Sequence, residues 1–110
     1  MNREAILDEV ERFRKEGRKF LSEPFSGKLL ASYGIPVAPA YVAENVEKAV
    51  KYAQELGFPV VLKVVSPQII HKSDAGGVIT NIDEGENVRE AFCRIVQNAR
   101  KHNPKAKVEG

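Results

Sequence analysis

Four residues in this chain have types and spacing suited to phosphate chemistry: Lys63, His71, Gly76 and Gly77. Lys63 is the one charge in the apolar run Pro59-Val60-Val61-Leu62-Lys63-Val64-Val65. A lysine held in a central strand must find an anion or lose much of its hydration, at a cost of several kcal/mol. A nucleotide phosphate would satisfy it; the alternatives are an edge-strand gatekeeper or a stem that snorkels to water. His71 follows in the polar stretch Ser66-Pro67-Gln68-Ile69-Ile70-His71-Lys72-Ser73-Asp74-Ala75. An exposed imidazole titrates near neutrality and has a nucleophilic ring nitrogen, so it can accept a phosphoryl group, and a nearby carboxylate can fix its tautomer. The alternative is a solvated loop histidine. Gly76-Gly77 then opens the next apolar run. Successive glycines permit positive φ and close backbone approach, and their N–H groups can form an anion-binding nest; a plain turn or bulge is the alternative.

Other chemistries find less support. Neither Gly-x-x-x-x-Gly-Lys-Ser/Thr nor Gly-x-Gly-x-x-Gly occurs. His102 is the only other histidine, in a separate segment, and no ligand-spaced pair exists, so no metal residues are assigned. Cys93 is the single cysteine, which excludes an intrachain disulfide; its place beside an apolar helical stripe reads as packing.

The elements that must position these residues follow from periodicity. Ile6, Leu7, Val10 and Phe13 fall at helical spacing, and Gly17 reads as a stop. Ser22 reads as an N-cap with Glu23 and Pro24 in the first turn, and Phe25, Leu29, Leu30 and Tyr33 line one face of a second helix that ends at Gly34. A short strand is expected around Ala40-Tyr41-Val42, then a helix carrying Val46, Ala49, Val50, Ala53 and Leu56, closed by Gly57. Residues 59–65 predict a central strand with both faces apolar except at Lys63. Residues 77–82 predict another strand, and Val88, Phe92, Ile95, Val96 and Ala99 a fourth helix. Ala106-Lys107-Val108-Glu109 reads as a strand just starting.

The resulting order is an α+β fold with a split βαβ-like layout: helices on one face of a mostly antiparallel sheet, preceded by two helices. Two regions are expected: an N-terminal helical segment, residues 1–36, and a mixed subdomain, residues 37–110, incomplete at its C-terminus.

With 110 residues the chain can build one small domain with a modest core. Its 17 basic and 15 acidic side chains are too balanced to argue for nucleic acid or a membrane surface as partner. No apolar run approaches the ~18 residues of a membrane span, and the N-terminus has no signal core, so a reducing cytoplasm is the expected compartment.

Three segments carry a resemblance: Gly27-Lys28-Leu29-Leu30-Ala31-Ser32-Tyr33-Gly34-Ile35-Pro36-Val37, Gly57 through Pro67, and Ile70-His71-Lys72-Ser73-Asp74-Ala75-Gly76-Gly77-Val78. Together they resemble the N-terminal part of the ATP-grasp subunit of ADP-forming (NDP-forming) acyl-CoA synthetases, the acetyl-CoA synthetase beta subunit among them. The resemblance implies an ATP-grasp N-terminal subdomain and a reaction in which acyl-CoA, ADP and phosphate give free acid, CoA and ATP. It implies ATP/ADP and Mg²⁺ as ligands, with the metal's carboxylates outside this segment. It also implies a hetero-oligomer with a CoA-binding alpha subunit or domain that carries its own phosphohistidine. Lys63 matches the family lysine that contacts nucleotide phosphates. His71 matches a second histidine, on a mobile loop, that relays phosphate to ADP, and Gly76 and Gly77 match the backbone bend near the nucleotide. These 110 residues are not expected to catalyse alone. Two other readings stay open: an ATP-grasp domain of another acyl-CoA-linked protein, such as an acetyltransferase fusion, and a non-catalytic α+β module for subunit interaction.

Overall fold

A computed structural model describes residues 2–110. The chain divides into two compact units, Met1–Ala40 and Tyr41–Gly110.

The first unit is a pair of helices begun by side-chain caps. Asn2 accepts the Ala5 N–H at 2.8 Å and starts α1 (Arg3–Lys15). Ser22 accepts the Phe25 N–H at 3.3 Å and starts α2 (Glu23–Ser32). Each cap satisfies an N–H that has no partner within its own helix. The chain leaves α1 through Gly17 and α2 through Gly34, both at positive φ. Phe13 and Phe25 meet edge to face at 5.6 Å and are the buried residues of the two helices. The Arg12 and Arg18 guanidinium groups lie 4.9 and 4.6 Å from the Phe13 ring centre. The face expected on α2 is only partly covered: Leu30 is 42% and Tyr33 68% exposed.

The second unit holds α3 (Val46–Leu56), β1 (Val60–Lys63), β2 (Val78–Ile82) and α4 (Gly85–His102). Asn45 caps α3 through the Lys48 N–H at 2.9 Å, and Gly57 at positive φ ends it. β1 and β2 pair antiparallel, Val60 with Ile82, Leu62 with Ile79 and Lys63 with Val78. One residue separates Val60 from Leu62 while two separate Ile79 from Ile82, so β2 bulges, and Asn81 takes a positive φ there. Beneath the sheet α3 and α4 close one core of Ala49, Ala53, Val60, Ile82, Val88 and Ala91. A second core gathers Val64, Ile69, Ala75, Ile95 and Ala99.

The α+β class and the antiparallel pairing agree with the sequence reading, and three details differ. Residues 40–42 form no strand, because a strand needs a neighbour to complete its ladder; Tyr41 instead stacks on Tyr52 of α3 at 4.8 Å. Residues 106–109 are not a regular strand either. They lie beside the extension of β1, where the Val65 N–H bonds Gly110 O at 2.9 Å and the Glu109 N–H bonds Val65 O at 2.8 Å. Finally, β1 is covered on one face only. Val60 and Val64 are buried, whereas Val61 is 49% exposed and Lys63 is exposed beside it in the alternation.

Candidate functional site

Lys63 occupies the outward face of β1 because strand side chains alternate and the buried Val64 follows it. Its surroundings are therefore not those of a lysine sealed in a central strand. The desolvation penalty expected of a sealed lysine does not arise there.

Backbone bonds bring the histidine segment back to this strand. Val64 N–H donates to Gly77 O at 2.8 Å, and Gly77 N–H donates to Lys72 O at 2.7 Å. Gly76 N–H donates to Ser73 O at 3.1 Å and Ala75 N–H to His71 O at 3.3 Å. Residues 71–77 thus curl into a tight turn whose exit is sewn to the end of β1. His71, Ser73 and Asp74 are exposed on this turn.

The two glycines serve this geometry. A Cβ on Gly77 would stand 2.5 Å from Val64 Cγ1 and 3.1 Å from Lys72 O, closer than packing allows. Gly76 has φ +68°, and a Cβ there would stand 2.7 Å from Asn98 Nδ2. The nest expectation does not hold in this form, because both glycine N–H groups already donate to carbonyls of the turn. Gly76 and Gly77 shape the bend.

The segment from Ser66 to Ala75 is anchored in the core at two points. Ile69 is 3% and Ala75 6% exposed, and both pack in the second core with Ile95 and Ala99. Residues 70–74 lie between these two anchors. Two polar side chains reinforce these anchors. Asn98, on α4, donates from Nδ2 to Gly76 O at 2.9 Å. Gln68 Oε1 accepts the Lys107 N–H at 2.9 Å. Neither was singled out from sequence. Asn98 had a signal, being a polar residue three positions after core Ile95, on the face that packs inward; Gln68 had none. Cys93 is exposed, not packed in the stripe of α4.

Among the described residues no group of three or more His, Cys, Asp or Glu side chains could hold a metal ion. No helix among them is long and apolar enough to cross a membrane.

Residues 12–110 match the ATP-grasp domain family. Over its whole length the chain is 51% identical to acetate–CoA ligase [ADP-forming] I subunit beta of Pyrococcus furiosus, and covers 47% of that protein. A solved structure of Candidatus Korarchaeum cryptofilum dinucleotide-forming acetyl-coenzyme A synthetase 1, in complex with coenzyme A, Ca-AMPCP and HgCl⁺, superposes with a TM-score of 0.88 at 45% identity, over 94% of this chain and 45% of that one. A second structure of that enzyme holds coenzyme A and Mg-AMPPCP, with a phosphohistidine segment pointing towards the nucleotide binding site. It matches with a TM-score of 0.66 at 44% identity, over 84% of this chain and 41% of that one. The chain thus spans somewhat less than half of each of these proteins.

Proposed function

The chain belongs to the ATP-grasp domain family, and from that premise we propose that it is the nucleotide-binding part of an ADP-forming acyl-CoA ligase. The whole enzyme converts acyl-CoA, ADP and phosphate to free acid, CoA and ATP, in the cytoplasm, as a hetero-oligomer with a CoA-binding alpha subunit or domain. The observation that carries the reading is the histidine turn fastened to the end of the strand that bears an outward lysine.

In this reading Lys63 contacts the phosphates of ADP and ATP. His71 takes the phosphoryl group from a phosphohistidine of the partner: its unprotonated ring nitrogen attacks phosphorus, the partner's P–N bond breaks, and the proton that His71 gives up from its other ring nitrogen balances the one the departing ring gains to become a neutral imidazole. A terminal phosphate oxygen of ADP then attacks the same phosphorus, the His71 P–N bond breaks, and ATP is formed. Two short in-line transfers replace one long one. The turn is fastened to the end of β1, so in this reading the larger movement falls to the partner's phosphohistidine; the solved Korarchaeum enzyme has a phosphohistidine segment pointing towards its nucleotide binding site. Mg²⁺ belongs to this chemistry, and the carboxylates that would hold it are expected outside these residues.

The test is made in the complete enzyme with its partner. His71→Ala should abolish ATP formation from ADP and the phosphorylated partner while acyl phosphate formation from acyl-CoA and phosphate survives. Lys63→Ala should weaken ADP binding by about 1.5–3 kcal/mol, the range for hydrogen bonds to charged groups. ATP formation at the normal rate in the histidine variant would remove the relay. Unchanged ADP affinity and turnover in the lysine variant would remove the phosphate contact.

A further inference from the structure

We propose that Asn98 is a positioning residue for His71, holding the histidine turn at a fixed reach from β1. The inference rests on the relay reading above and extends it to a residue on a different element.

Three observations converge on Asn98. Its amide donates to Gly76 O at 2.9 Å, a partly buried bond that spans 22 positions of sequence. Gly76 leaves no room for a side chain of its own: a Cβ at 76 would lie 2.7 Å from Nδ2, 3.1 Å from Cγ and 3.2 Å from Cβ of Asn98. The amide therefore occupies the room that a glycine leaves, and the two positions are fitted to each other. Asn98 is also flanked on α4 by Ile95 and Ala99, which pack on Ile69 and Ala75, the two buried ends of the segment carrying His71. A rigid helix thus grips the segment at both ends by apolar contact and at its exit by one directional bond. The apolar contacts are non-directional. The bond to Gly76 O fixes the rotation of the turn, and with it the direction in which the exposed imidazole points.

Polar chemistry at this position matters beyond bulk. Asn98→Asp keeps the shape, but its carboxylate cannot donate to a carbonyl and repels it. Asn98→Ala keeps the helix while removing the bond and the amide that fills the space beside Gly76. Neither variant touches the apolar anchors.

The experiment uses the full-length subunit assembled with its partner and compares Asn98→Asp, Asn98→Ala and His71→Ala. Three readouts are taken: ADP affinity, the turnover rate of ATP formation, and amide hydrogen exchange at residues 73–77 against that of β1 and β2. The expected result is a fall of about tenfold to a hundredfold in turnover for Asn98→Asp, the scale of a small misplacement of a reacting group, with a smaller fall for Asn98→Ala. ADP affinity should stay within about twofold, since Lys63 lies on a strand the substitution leaves alone. Exchange should quicken at 73–77 and not in the strands. Normal turnover in both Asn98 variants alongside a dead His71→Ala enzyme overturns the positioning role and leaves the relay standing. Equal losses of affinity, turnover and strand protection also overturn it, since they mark a general loss of stability. An active His71→Ala enzyme removes the relay. In that case quickened exchange at 73–77 alone still supports Asn98 as the holder of the turn, and unchanged exchange overturns it.

Discussion

The two compact units differ in how they are held. In Met1–Ala40 the buried side chains are Phe13 and Phe25, and much of the rest is surface chemistry: Arg12 pairs with Glu9 at 2.8 Å and with Glu16 at 3.0 Å, on side chains roughly half open to water. The Arg12 guanidinium holds the Glu9 carboxyl below its usual range through that hydrogen bond. Exposed pairs of this kind contribute little to stability. In Tyr41–Gly110 two apolar cores lie between helices and sheet, and the candidate site is attached to the second of them. Placement of a reactive side chain needs neighbours that cannot relax, and only the second unit has them around its turn. The first unit instead keeps Leu7, Phe20, Leu30 and Tyr33 exposed.

The contrast can be broken by substitution. Ile95→Ala should have the largest effect, about 2–5 kcal/mol, because it opens a cavity in the core beneath the turn. Urea unfolding would measure the loss, and a value below about 1 kcal/mol, the usual range for small core deletions, would mean that this core is loose. Ser22→Ala removes the cap of α2 and should cost about 0.5–2 kcal/mol of helix stability, read as faster amide exchange at Phe25 and Ser26. No change there would show that α2 is held by something other than its own first turn. Tyr33→Ala should be smallest, within about 0.5 kcal/mol, as expected for an exposed site away from special features. A larger loss in the same urea measurement would sharpen the comparison in another way, since it would mean that this face is covered in solution.

Much of the fold was legible from local rules. Ser22 with Glu23 and Pro24, the stops at Gly17, Gly34 and Gly57, and the apolar spacing of α3 and α4 were all read from neighbours a few positions apart. The two real strands were visible as β-rich runs. The false strand at 40–42 came from the same rule, because propensity sees apolar residues and not whether a partner strand exists.

For the site, the sequence by itself determined which groups are present: a lysine in a strand, a histidine in the polar stretch after it, and glycines where that stretch ends. These are matters of residue type and short spacing, and side-chain chemistry does not depend on the rest of the chain. Only the tertiary structure decided how they are used. It turned Lys63 outward, gave the glycine N–H groups to the turn itself, and buried Ile69 and Ala75 on either side of His71. It also brought Asn98 to Gly76 across 22 positions and Lys107 to Gln68 across 39. Such contacts depend on where α4 and the residues after it cross the sheet, and that crossing is set by packing both cores at once, a constraint no local pattern contains.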